Sequence, residues 1–131
     1  MQLAKTVEST EPLARYLTSR SHYISAMQSV KPAAFLPPPD HRFSIFRIDG
    51  LTTEDVCQIG QREVISKMPG RTLHGFGDIV AQAFEDAKLT IVPDNIPARH
   101  ASVVGWPEGK DEQMLIAIEL AASARLVPCS Y

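Results

Sequence analysis

Cysteine is scarce in this chain: Cys57 and Cys129 are the only two in 131 residues, and no Cys-x-x-Cys or zinc-type spacing joins them. That excludes a disulfide framework readable from spacing and leads to the expectation of a reduced, cytoplasmic protein. Long apolar runs are missing too. No window approaches the roughly 18 apolar residues of a membrane span, and Met1–Thr10 has no apolar stretch behind a basic start, so neither a span nor a secretory leader is expected. Nor is there an excess of either charge. Thirteen Lys and Arg stand against fifteen Asp and Glu, for a net charge of −2, and Arg42, Arg47, Arg62, Lys67 and Arg71 are interleaved with Asp49, Glu54, Asp55 and Glu63. Without a long-range positive field, nucleic-acid binding is not favoured.

What is present is ordinary globular composition, 44% hydrophobic and 21% charged, at a length that suits one core. Residues 1–41 read as an N-terminal arm. Thr10-Glu11-Pro12 predicts the start of a short helix carrying Leu13, Tyr16 and Leu17, and the Pro37-Pro38-Pro39 run predicts extended chain, because each proline fixes φ and restricts the residue before it. The arm also carries Tyr23, Ile24, Met27, Val30, Phe35 and Leu36, too much apolar surface for a solvated tail. It either wraps its own domain or docks on a protein partner or a second copy.

Residues 42–131 read as an α+β domain. Phe43 to Ile48 predicts a strand with apolar residues on both faces, and Thr52 with Asp55 a capping box opening a helix to about Ser66. Ile79, Val80, Ala83, Phe84 and Ala87 predict a helix starting near Gly77-Asp78. Strands are expected over 89–92 and 99–104, and a final helix over 111–125 that buries Met114, Ala117, Ile118, Ala121 and Ala122, with Leu115 broadening the stripe. The expected fold is a small sheet of about three strands packed with three helices, preceded by the arm.

The chemistry-bearing residues gather around Arg99–Pro107. Strand alternation puts His100, Ser102, Val104 and Trp106 on one face, an imidazole and a hydroxyl beside an indole. Arg47 shares a face with Phe43 and Ile45, so its charge needs a carboxylate or a bound anion. If the first and last of these strands are neighbours, Arg47 and Arg99 can grip a phosphate or carboxylate, with His100 and His74 moving protons. Four dispersed histidines form no metal spacing, and no phosphate loop or Gly-x-Ser-x-Gly elbow is complete, so no metal or cofactor is expected.

His100-Ala101-Ser102, in its apolar setting, resembles one copy of the His-x-Ser/Thr strand motif of the 2H phosphoesterases, which implies a general acid or base and a phosphate-binding hydroxyl. That chemistry uses two facing motifs, and the other histidines read His22-Tyr-Ile, His41-Arg-Phe and His74-Gly-Phe. The Arg99–Lys110 segment, RHASVVGWPEGK, also resembles parts of small uncharacterised bacterial proteins, which implies no activity. Two functional expectations follow. The first is a non-enzymatic accessory component of a multi-protein system, binding a protein partner or another copy through its arm. The second is a small enzyme or binding domain for a phosphorylated or nucleotide-like ligand, with a His/Arg site.

Overall fold

A strand covered on both faces loses its polar alternation, and that decides where this fold departs from the pattern of its sequence. The computed structural model describes residues 4–130. Met1, Gln2 and Leu3 of the expected arm, and Tyr131 of the expected domain, lie outside the described residues. Six strands form one antiparallel sheet: β1 (Pro12–Leu17), β4 (Phe43–Arg47), β5 (Gly75–Val80), β6 (Thr90–Pro93), β7 (His100–Val104) and β8 (Arg125–Pro128), in the order β6-β7-β4-β1-β5-β8. A separate hairpin pairs β2 (Tyr23–Ile24) with β3 (Ser29–Val30). The α-helices are α1 (Thr53–Ile59), α2 (Ala81–Asp86) and α3 (Lys110–Ser123).

The expectation of about three strands is therefore corrected to six plus a hairpin, and three segments account for the difference. Pro12–Leu17, expected to be helical, is a central strand between β4 and β5. Leu13 and Leu17 face one cluster and Ala14 and Tyr16 the other, so both phases of the alternation are apolar and mimic helical spacing. Gly75–Val80 is a strand because Gly75 and Gly77 lie opposite Pro128 and Leu126; a side chain on Gly75 would run into the Val127 carbonyl. The helix expected from Gly77 begins only at Ala81, whose N–H bonds to the Glu11 carbonyl, with Gln82 N–H on that of Ser9. Arg125–Pro128 follows α3 directly and pairs with β5 at the sheet edge.

Both faces of the sheet are covered. On one, Leu13, Leu17, Phe43, Ile45, Ile79, Ala101 and Val103 pack with Phe84 of α2, Ala117 and Leu120 of α3, and Phe35 from the 3-10 turn Pro32–Phe35. On the other, Ala14, Tyr16, Phe46, Ile48 and Phe76 pack with Val56, Cys57 and Ile59 of α1. The arm thus contributes a central strand and two core aromatics, Tyr16 and Phe35, to its own domain. The capping box of α1 forms as its sequence requires: Thr52 Oγ1 accepts from Asp55 N–H at 3.1 Å, and Asp55 Oδ2 from Thr52 N–H at 3.2 Å. After Ile59 the helix continues as a π turn over Gly60–Val64 and a 3-10 turn over Ile65–Lys67.

α3 is rotated from its expected orientation. It buries Gln113, Ala117, Leu120 and Ala121, and leaves Met114, Leu115 and Ile118 at 39%, 64% and 48% exposure. The small Ala117–Ala121 seam seats the helix against the sheet and turns the larger side chains outward. The cysteines, expected to be unpaired, form a Cys57–Cys129 disulfide with Cα atoms 5.7 Å apart across 72 residues of sequence. That removes the cysteine argument for a reduced chain. Among the described residues no helix is long and apolar enough to cross a membrane.

Candidate functional site

The ladder between β1 and β4 holds only two residue pairs, Leu13 with Arg47 and Ala14 with Phe46, whereas β1 pairs with β5 along its whole length. Where β1 and β4 part, a cavity of about 370 Å³ opens. Tyr16, Thr18, Ser44 and Phe46 line it from the two strands, and Glu63, Val64, Lys67 and Met68 from the helical segment after α1. Pro97 and His100 line it from the β6–β7 side, and Arg15 completes the lining.

Arg15 is a cation in the middle of a central strand. Its Nε–H donates to the Ala34 carbonyl at 2.8 Å and its Nη1–H to the Ser44 carbonyl at 2.9 Å, while the guanidinium carbon lies 3.9 Å from the centroid of the Phe43 ring. Burial pushes its pKa down to about 10, so it stays charged at neutral pH. Among the described residues no carboxylate pairs with it. Glu63, which shares the cavity, pairs with Arg62 at 3.2 Å instead. The guanidinium is partly buried and held by two carbonyls, and Arg15 brings a positive charge to the lining of the cavity. Lys67, exposed at the rim, adds charge of the same sign.

The positive field reaches the neighbouring turn. His22 Nδ1 accepts from Thr18 N–H at 3.2 Å, and its pKa is pushed down to about 4, chiefly by burial and then by the charges of Arg15, Arg71 and His74. The ring is therefore neutral at pH 7.

His100, which lines the cavity from β7, is oriented by a carboxylate. Its Nδ1 lies 2.7 Å from Asp94 Oδ1, and the side chain is 13% exposed. Asp94 also accepts Ile96 N–H at 3.2 Å and Ser102 Oγ–H at 3.1 Å. Burial works to raise the Asp94 pKa. The His100 bond, the Ile96 N–H, the His100 charge and the Ser102 hydroxyl outweigh it and hold the carboxyl below its ordinary value. An ionised Asp94 only accepts, so the proton sits on Nδ1, and Nε2 remains for a ligand. The ring packs edge-on against Phe46, 5.3 Å between centroids, opposite it in the β4–β7 ladder.

The structure brings His100 to the cavity and distributes the other sequence-derived residues elsewhere. Arg47 shares the face of Phe43 and Ile45, opposite to Phe46 and His100, and is bidentate to Glu11: Nε to Oε2 at 2.6 Å and Nη2 to Oε1 at 2.8 Å. The Glu11 hydrogen bond chiefly raises its pKa, over an opposing effect of burial. Arg99 spends Nη1 on the carbonyls of Arg47 and Asp49, at 3.1 and 3.2 Å. His74 bonds Tyr23 Oη through Nδ1 at 3.1 Å. Ser102 lies beside His100 on the same strand face and serves Asp94. Trp106 leaves that face because Gly105, at φ +93°, turns the chain after β7; its Nε1–H donates to the Val103 carbonyl and its ring packs 5.6 Å from Phe43. The convergence of Arg47, Arg99 and His100 on one ligand does not occur.

Arg15 and Asp94 are the residues that sequence reasoning missed. Asp94 carried a signal, since an Asp in a short connection beside a His-bearing strand is a candidate orienting group. Arg15 carried one only as a charge between apolar neighbours. Among the described residues no three His, Cys, Asp or Glu side chains are grouped to hold a metal ion. No family model, curated protein or solved structure matches the chain.

Proposed function

We propose that the chain binds a small phosphorylated molecule in the cavity between β1 and β4, with Arg15 holding the anionic group and Asp94-oriented His100 exchanging a proton with the ligand. The observation that carries this reading is a cavity lined by both Arg15, a partly buried cation whose guanidinium bonds the Ala34 and Ser44 carbonyls and pairs with no carboxylate among the described residues, and the Asp94-held His100. Tyr16, Phe46, Val64, Met68 and Pro97 give the cavity an apolar body that suits the organic part of such a ligand, and about 370 Å³ lies at the small end of ligand-pocket sizes. Calorimetric titration with adenosine monophosphate, ribose 5-phosphate and their unphosphorylated counterparts tests it. Saturable binding of the phosphorylated members alone supports the reading; equal binding of adenosine or ribose, or no binding by any member, rejects it.

A second reading, protein association, is favoured by the exposed Met114, Leu115 and Ile118 on α3 rather than by the arm, whose Leu13, Leu17, Val30 and Phe35 are buried in the core. In this reading α3 meets the same helix of a second copy. Leu115→Glu with Ile118→Glu would then lower the solution mass measured by light scattering, and an unchanged mass would remove it.

A further inference from the structure

The cavity wall formed by Glu63, Val64, Lys67 and Met68 is anchored to the sheet side by the partly buried Val64 and Ile65, which pack against the Tyr16–Phe46–Phe76 cluster, and not by backbone pairing of the kind that holds the strands of the opposite wall. It extends from α1 through the π turn Gly60–Val64 and the 3-10 turn Ile65–Lys67. Its own hydrogen bonds, Ser66 Oγ to the Arg62 carbonyl and Met68 N–H to that of Ile65, run along the segment rather than to the sheet. Its position therefore depends on α1, from which it continues, together with the packing of Val64 and Ile65. α1 is held by the burial of Val56, Cys57 and Ile59, by Tyr16 Oη donating to the Val56 carbonyl at 2.6 Å, and by the Cys57–Cys129 bond. Tyr16 belongs to both systems, since it lines the cavity and its ring lies against Gly60.

We propose that the Cys57–Cys129 disulfide is a redox-sensitive tie that holds the helical wall of the cavity in place, so that its reduction loosens residues 60–68 and weakens ligand binding. This rests on the cavity being the ligand site. The bond is covalently remote from the cavity yet mechanically continuous with it, because Cys57 lies on α1, one turn before the π segment. It is also reachable. Cys129 is half-buried just beyond β8, and a surface depression lined by Thr53, Glu54, Gln58, Pro128 and Ser130 extends to Cys57. A dithiol reductant supplies the electrons. One of its thiolates attacks Cys129 Sγ, and the Cys57 sulfur leaves as a thiolate and is protonated. The second reductant thiol, as its thiolate, then displaces the Cys129 sulfur. Two cysteine thiols are formed and the dithiol becomes a cyclic disulfide.

Hydrogen exchange of the whole chain, oxidised and after dithiothreitol, reads the tie without any ligand. Exchange of residues 60–68 is expected to rise about tenfold on reduction while β1, β4 and β7 keep their protection. A Cys57→Ser/Cys129→Ser variant is expected to match the reduced protein, and a Cys129→Ser variant, which leaves the buried position untouched, gives the same readout if the double variant does not fold. Unchanged exchange in 60–68 overturns the proposal, as does acceleration throughout the sheet, which would make the bond a global staple. Adenosine monophosphate titration of both redox forms then separates the two claims. A roughly tenfold weaker affinity after reduction supports the tie, and equal affinity overturns it with the site intact. Failure of both forms to bind rejects the site reading, and with it control of binding by the bond.

Discussion

The buried pair of Glu11 and Arg47 gives a quantitative test of how the N-terminal segment is anchored. Replacing Glu11 with Ala removes both acceptors of a bidentate ion pair whose side chains are 4% and 8% exposed, leaving Arg47 only the Ala4 carbonyl on Nη1. An uncompensated buried charge costs about 3–5 kcal/mol. At about 4 °C per kcal/mol for a domain of this size, that corresponds to a fall in Tm of about 12–20 °C. The backbone bonds by which Ser9 and Glu11 hold the start of α2 do not involve the carboxylate and survive the change. The assay is thermal and urea unfolding at pH 7, followed by circular dichroism on oxidised protein. A Glu11→Leu/Arg47→Met double variant, which removes both charges and keeps apolar volume, is expected to recover most of the loss. A Glu11→Ala loss below about 1 kcal/mol, or a double variant as unstable as the single one, would refute the reasoning by showing that the pair is effectively solvated.

Other expectations follow from particular contacts. Gly60→Ala places a Cβ 2.6 Å from Tyr16 Cε1 and 2.9 Å from Leu73 Cδ2, so overpacking of about 1–3 kcal/mol exceeds the gain in helix propensity; urea unfolding should show a net loss. His22, whose pKa falls from an ordinary 6.5 to about 4 on folding, binds its proton more readily in the unfolded chain. Its contribution is complete above pH 6.5 and is lost as pH falls towards 4, about 1–2 kcal/mol after solvent screening. His22→Asn, which keeps an acceptor for Thr18 N–H, should flatten that part of the pH–stability curve, and an unchanged slope would assign it to other groups. Asp94→Asn takes the orienting charge from His100 while preserving shape. The imidazole NMR signals of His100 should lose their fixed Nδ1–H tautomer, and an unchanged tautomer would show that Asp94 does not orient the ring.

Local signals were legible where a single element carried them. The β4 alternation, the Thr52–Asp55 capping box, the turn-bounded strands at 90–93 and 100–104, and the extent of α3 all appear close to their expected places. β1 was hidden because a strand buried on both faces offers helix-like apolar spacing, and β5 because Gly75 and Gly77, small for the approach of β8, read as loop. The disulfide was hidden because two cysteines 72 residues apart carry no pairing information in their spacing. Of the site, His100 was legible from strand alternation. Arg15 was not, because its role depends on β1 and β4 parting after two residue pairs, a feature of long-range register rather than of any local pattern.

The central claim is that Arg15 holds an anion in the cavity. The direct measurement is adenosine monophosphate titration of the wild type, Arg15→Met and Arg15→Lys, each checked for fold by circular dichroism. Saturable binding by the wild type, about 10–100-fold weaker in Arg15→Met and partly restored in Arg15→Lys, is the predicted result. A folded Arg15→Met protein that binds as tightly as the wild type contradicts the account.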